Sequence, residues 1–191
     1  MTTPTEVVVE VALVLEHLRI PYLIVGSFAS SARGITRATM DADIVAQITE
    51  DQVQDVVKEL SSRDYYVDDL AVRRAIINER AFNAIHRDSA FKVDIFVRRD
   101  EFSKNQLERK LAENILPDSD AVVYIATAED TIVAKLVWFR KGGESSDRQW
   151  SDVLGVLKIQ HARLDYEYMQ HWCELLGVAD LLSKALAEVS R

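Results

Sequence analysis

Tyr22-Leu-Ile-Val-Gly-Ser-Phe-Ala-Ser-Ser-Ala-Arg-Gly34, followed closely by Arg37-Ala-Thr-Met-Asp-Ala-Asp-Ile-Val-Ala46, is the stretch that decides the fold. Tyr22 to Val25 is a short apolar run and reads as a buried strand. It stops at Gly26-Ser27, and Phe28 to Arg33 reads as a short helix closed by Gly34. A strand that ends in Gly-Ser and opens a helix aims free backbone N–H groups and a hydroxyl at one point, which suits phosphate oxygens. Asp41-Ala-Asp43 then runs straight into Ile44-Val45-Ala46. On a strand, Asp41, Asp43 and Val45 share one face, and the small apolar Ala42, Ile44 and Ala46 share the other. Two carboxylates therefore point together away from the core. At ~5 Å and an effective dielectric of about 20, such a like-charge contact costs roughly 3 kcal/mol, so the pair needs a cation nearby or takes up a proton. All-oxygen ligands favour Mg²⁺ or Mn²⁺ over zinc.

Outward from this stretch, the 191 residues make one domain or two small ones, and 48% apolar with 28% charged residues is ordinary for a soluble globular protein. A net charge of −8 argues against a broad surface for coating nucleic acid, without excluding a local basic path to a site. The single cysteine, Cys173, allows no internal disulfide and reads as a small buried apolar side chain in a reducing cytoplasm. Residues 1–20 lack a basic leader and are interrupted by Glu6, Glu10 and Glu16, so no signal peptide is expected. No apolar run is long enough to span a bilayer. His17, His86, His161 and His171 show no zinc-type spacing and are expected to be structural.

Taken in order, Thr3-Pro4-Thr5-Glu6 supplies an N-cap, a Pro at the first helical position and an acid at the third, predicting a helix from about Pro4 to Arg19. Thr49 and Gln52 cap a second long helix to Leu60, with Val53, Val56, Val57 and Leu60 as its buried stripe. A short strand at Tyr65–Val67 and a short helix opened by Asp68-Asp69 follow. Ala81–His86 and Phe91–Val97 read as a hairpin across Arg87-Asp88-Ser89. Its second arm alternates: Phe91, Val93, Ile95 and Val97 face one way, Lys92, Asp94 and Phe96 the other. Asp94 is thus a lone carboxylate in an otherwise apolar strand. Phe102–Ala112 reads as an amphipathic helix and Ala121–Ala126 as a strand; beyond it the pattern is purely helical. Four helices are expected there, from a Thr127 cap, Asp147–Ile159, Asp165–Leu176 and Val178–Val189, with Trp138, Trp150 and Trp172 in their core. The chain is therefore divided at residue 126, into an α/β core (1–126) and a helical C-terminal part (127–191).

Gly26-Ser27, then Arg37-Ala-Thr39-Met-Asp41-Ala-Asp43-Ile44, then Val93-Asp94-Ile95 resemble the nucleotidyltransferase superfamily with a polymerase-β-like fold. That pattern is Gly-Ser, a helix, Asp-x-Asp on the next strand and a third acid on a neighbouring strand. The nearer likeness is to bacterial stand-alone nucleotidyltransferases of the abortive-infection and type IV toxin–antitoxin kind, which carry a later helix with Lys, Arg and Asp. Lys135, Arg140, Arg148 and Asp152 would correspond, while Gln149 stands where relatives often have an acid. The resemblance covers about residues 20–160.

The resemblance implies an α/β fold, a mixed sheet flanked by helices, and Mg²⁺-dependent transfer of an NMP group from an NTP to an acceptor, releasing pyrophosphate. Asp41, Asp43 and Asp94 would be the catalytic and metal-binding residues for two Mg²⁺ or Mn²⁺ ions. Gly26, Ser27, Arg37 and Lys135 would bind the nucleotide phosphates. Lys135 equally reads as a lysine whose stem lies along the surface beside Trp138. The acceptor could be an RNA end, a protein hydroxyl or a small molecule, a polycation being the kind an acidic surface attracts. A cognate antitoxin-like protein and a second copy of the chain are further partners consistent with the resemblance, in the cytoplasm and without a membrane. The alternative is a catalytically silent nucleotide-binding or partner-binding module that keeps the fold, as one component of a toxin–antitoxin pair.

Overall fold

One row of apolar side chains runs across five strands of a single sheet: Phe82, Ile95, Ile44, Ile24 and Ile125, each at most 2% exposed. The structure, a computed structural model, describes residues 2–34, 39, 41–116 and 118–190. Along the chain these form α1 (Pro4–His17), β1 (Tyr22–Val25), α2 (Gly26–Arg33), β2 (Asp41–Ala46), α3 (Val53–Ser62) and β3 (Tyr65–Tyr66). There follow α4 (Asp69–Asn78), β4 (Ala81–His86), β5 (Lys92–Val97), α5 (Glu101–Arg109), β6 (Leu111–Glu113) and β7 (Val123–Ile125). The rest is helical: α6 (Ala128–Lys141), α7 (Asp147–Gln160), α8 (Tyr166–Leu175) and α9 (Ala179–Val189). Two compact units result, one of Met1–Val25 with Thr39–Ile125, the other of Gly26–Ala38 with Ala126–Arg191.

The first unit holds the whole sheet, in the order β3-β4-β5-β2-β1-β7-β6. β2 runs parallel to β5 and antiparallel to β1, and β1 is parallel to β7, so the sheet is mixed. Ala42, Ile44 and Ala46 are fully buried, as the alternation of Asp41–Ala46 requires. The Ala81–His86 and Lys92–Val97 arms pair as a hairpin, with His86 N–H donating to the Phe91 carbonyl at 2.9 Å. Helices α1, α4 and α5 pack against the sheet, and α3 lies against α1 and β3. The capping box at Thr3 and Glu6 forms as its spacing demands. In α3, Val53, Val56 and Leu60 are buried, and Val57 is half-buried at the edge of the stripe. Among the described residues no helix is long and apolar enough to cross a membrane.

The Phe102–Ala112 expectation needs correcting, because the helix ends at Arg109 and Leu111–Glu113 forms strand β6, antiparallel to β7. The break falls at Lys110, whose backbone is extended (φ −51°, ψ 144°). Its ammonium lies 3.8 Å from the Tyr124 ring centroid and 5.7 Å from that of Tyr22. Burial there lowers the lysine's pKa, with nearby Glu16 acting in the opposite sense. Ladder bonds and an aromatic seat thus outweigh local helix propensity.

The second unit packs α2, α7, α8 and α9 around α6. Gly34 ends the α2 segment where a Cβ would lie 3.0 Å from both the Ser30 carbonyl oxygen and the Val156 nitrogen, so only glycine fits without a shift. The tryptophans are not core, contrary to the pattern-based expectation. Trp138 is 43% exposed, and Trp150 and Trp172 are half-buried. Helical spacing places Trp150 where its ring meets Phe139 at 5.2 Å while its Nε1–H reaches Glu188 at 3.0 Å, a boundary position that suits a ring with a polar edge. Cys173 is fully buried, which pushes its thiol up to about 12.

Two outcomes are expected. Ile44→Ala should destabilise the protein by about 2–5 kcal/mol, measured by urea unfolding, because it removes the centre of the apolar row. Cys173 should resist a thiol reagent at pH 8 in native protein and react promptly once urea unfolds it.

Candidate functional site

The same register that builds the apolar row sets a polar row on the opposite side of the sheet. Asp43 pairs laterally with Asp94, Asp94 with Asn83, and Asp43 with Val25. One step along, Asp41 pairs with Lys92. Residues paired across neighbouring strands point to the same face at ~4.8 Å spacing, so Asp41, Asp43, Asp94, Lys92 and Asn83 form one patch within the first unit. Asp41, Asp43, Lys92 and Asp94 are half-buried there, whereas Ala42, Ile44, Val93 and Ile95 behind them are fully buried.

Asp41 and Asp94 are each held by specific neighbours. Thr39 donates its hydroxyl to the Asp41 backbone carbonyl at 2.8 Å and lies 3.3 Å from its carboxylate Oδ1. Asp94 is gripped on both oxygens: Asn83 Nδ2 donates to Oδ1, and Lys92 Nζ donates to Oδ2 at 2.7 Å. Lys92 has its pKa raised, first by this hydrogen bond and further by the charges of Asp94, Asp41 and Asp43. One ammonium thus answers to all three carboxylates. Its side chain is 40% exposed against 16% for Asp94, so the contact is open to solvent on the lysine side.

The remaining candidate residues lie in the second unit or outside the described residues. Gly26 and Ser27 open α2, Gly26 in the left-handed region (φ 63°) that glycine tolerates, so the helix begins two residues before the expected Phe28. Ser27 offers its carbonyl to the Ser30 hydroxyl at 3.1 Å. Lys135 is buried in α6 and pairs with Asp152 of α7 at 2.8 Å, with side chains 8% and 9% exposed. It is therefore not a surface lysine. Arg37 lies outside the described residues.

Sequence reasoning passed over Lys92 and Asn83 as members of the patch. The alternation of Lys92, Asp94 and Phe96 already placed Lys92 beside Asp94, and the Arg87-Asp88-Ser89 turn fixes the arm that brings Asn83 opposite. The signal was present but carried no recognised motif.

The donor set fits a hard divalent cation by chemistry: three carboxylates on one face, all oxygen, already accompanied by a positive charge. As the side chains stand, no group of three or more His, Cys, Asp or Glu among the described residues is arranged to hold a metal ion. Lys92 and Asn83 engage both Asp94 oxygens instead.

No protein-family model and no curated protein matches the sequence. Solved structures do. The antibiotic-resistance factor ANT(2'')-Ia, in solution, superposes with a TM-score of 0.59 at 14% identity, over 98% of this chain and 97% of that one. An antigenic nucleotidyltransferase-like protein from Paracoccidioides brasiliensis gives a TM-score of 0.59 at 16% identity, over 96% and 92%. The lincomycin-bound lincosamide antibiotic adenylyltransferase LnuA gives 0.50 at 14% identity, over 83% and 98%. The fold is the polymerase-β-like nucleotidyltransferase fold. At these identities the likeness concerns the fold alone.

Lys135→Met, which takes the ammonium out of a buried ion pair, should lower unfolding stability by roughly 3 kcal/mol in a denaturant titration. Arg140→Met, at an exposed pair with Asp180, should leave the unfolding midpoint in the same titration close to that of the wild type.

Proposed function

We propose that the protein is a divalent-metal-dependent nucleotidyltransferase that moves an NMP group from an NTP to an acceptor and releases pyrophosphate. One observation carries the reading: the lateral pairing of Asp43 with Asp94, with Asp41 two residues back on the same face. A half-buried set of three like charges contributes repulsion rather than stability, so its use must be sought in ligand binding.

In this reading Asp41, Asp43 and Asp94 hold Mg²⁺ or Mn²⁺, with two ions expected. The metal supplies charge neutralisation of the triphosphate and orientation for in-line attack. The acceptor oxygen forms a bond to the α-phosphorus, the bond from that phosphorus to the β-bridging oxygen breaks, and the acceptor's proton passes to a base. Asp94 takes the role of base, its carboxylate turned by Asn83. Gly26 and Ser27 supply backbone N–H groups and a hydroxyl for the outer phosphates. Arg37 and Lys135 serve as phosphate-neutralising cations; for Lys135 this requires exchanging Asp152 for phosphate. The acceptor is an RNA end, a protein hydroxyl or a small molecule. The antibiotic adenylyltransferase named above supports the last, and a net charge of −8 suits a cationic one. The single cysteine suits a cytoplasmic location, and a second copy of the chain or a cognate antitoxin-like protein remains a candidate partner; co-purification with the product of a neighbouring small open reading frame would support an abortive-infection or toxin–antitoxin setting.

A second reading, a silent nucleotide-binding or partner-binding module, is favoured by the grip of Lys92 and Asn83 on Asp94, which is what a retired site would also display.

A transfer assay with each α-labelled NTP, Mg²⁺, total RNA and a protein extract separates the two. Label should enter one fraction and fall by more than about 100-fold with Asp43→Asn, beyond the cost of losing an outer-shell partner. No transfer, with NTP binding that survives Asp43→Asn, would establish the silent module.

A further inference from the structure

We infer that Lys92 is the resident cation of the acidic patch and competes with the divalent metal for it, so that metal binding requires the lysine to leave Asp94. The inference rests on the metal reading given above. Lys92 stands opposite Asp41 in the β2–β5 pairing and two residues before Asp94 on the same face. Its ammonium sits 2.7 Å from Asp94 Oδ2, within the distance of a charge-assisted hydrogen bond. Asn83 holds the other oxygen. A metal ion that used Asp94 would approach oxygens that already accept from Asn83 and from the ammonium. It would also meet a positive charge a few ångströms away, and like charges at that range oppose each other strongly in a half-buried setting.

The lysine is built to move and the aspartate is not. Asp94 sits mid-strand between two paired neighbours and is 16% exposed, whereas Lys92 is 40% exposed on a four-carbon stem. With Lys92 in place, three carboxylates and one ammonium leave the patch at −2; without it the patch carries −3. Lys92 therefore acts as a positioning residue. It keeps the carboxylates arranged when no metal is bound and sets the metal concentration at which the site fills.

Wild type, Lys92→Met, Lys92→Arg and Asp43→Asn test this by Mn²⁺ titration, reading free Mn²⁺ by electron paramagnetic resonance, and by thermal unfolding in EDTA. Lys92→Met should bind Mn²⁺ about two- to fivefold more tightly than wild type, the order set by one partly exposed unit charge. It should melt a few degrees lower in EDTA and recover when Mn²⁺ is added. Lys92→Arg, which keeps the charge, should stay near wild type in both measurements. Equal or weaker Mn²⁺ binding by Lys92→Met, with binding still lost in Asp43→Asn, would overturn the role of Lys92 and leave the metal site standing. Mn²⁺ binding that is absent, or indifferent to Asp43→Asn, would overturn the metal reading and this inference with it. Lys92→Gln gives the same comparison should the methionine variant not fold.

Discussion

Everything in the candidate site depends on the register of β2 against β5. Because side chains alternate with a period of two, a slip of one residue would turn Ile44 and Ile95 outward and bury Asp43 and Asp94. The apolar row from Phe82 to Ile125 forbids that slip. Each of these side chains is worth roughly 1.5–3 kcal/mol when fully buried, and they interlock across five strands. The carboxylates are thus placed by the side chains behind them. The core face fixes where the charges stand, and the charged face contributes little to fixing the fold.

Placing three carboxylates on one face opposes stability, and the neighbouring residues show how the opposition is contained. Thr39 steadies Asp41, Asn83 and Lys92 between them engage both oxygens of Asp94, and half-exposure leaves water to screen the rest. The second unit handles its buried charge differently, since Lys135 and Asp152 pair at 2.8 Å with less than a tenth of either side chain exposed. One lysine is open to solvent and bonded to a strand carboxylate; the other is closed in between two helices. The first can exchange its partner for a ligand at its solvent-facing end, whereas the second must open a buried ion pair between two helices to do so.

Much of the fold was legible because its signals are local. The Thr3–Glu6 box, the Tyr22–Val25 run, the alternation at Asp41–Ala46 and the Ala81–Val97 hairpin each declare themselves within a few residues. What was missed needs distant residues. Leu111–Glu113 looks helical until β7 offers it a ladder and Tyr22 and Tyr124 offer Lys110 a seat. Trp138 and Trp150 fit a buried stripe by spacing, but the helix surfaces they reach are boundaries. The acids of the site were visible as types and spacings. Their companions Lys92 and Asn83 were present only as an alternation and a hairpin arm, and a lysine and an asparagine on alternating strands are unremarkable until register sets them against Asp94.

Fold likeness and site chemistry support different conclusions. Superpositions at 14–16% identity fix the arrangement of strands and helices, and an arrangement can outlast its activity. A patch kept only for solubility would spread its charges over exposed positions, where repulsion is screened and costs little. Here the charges stand half-buried on two adjacent central strands, in lateral register, with a partly exposed lysine ammonium beside them. That placement costs stability and serves no packing purpose, which is the usual condition of residues that wait for a ligand. The acidic face, rather than the likeness of fold, therefore bears the weight of the catalytic reading.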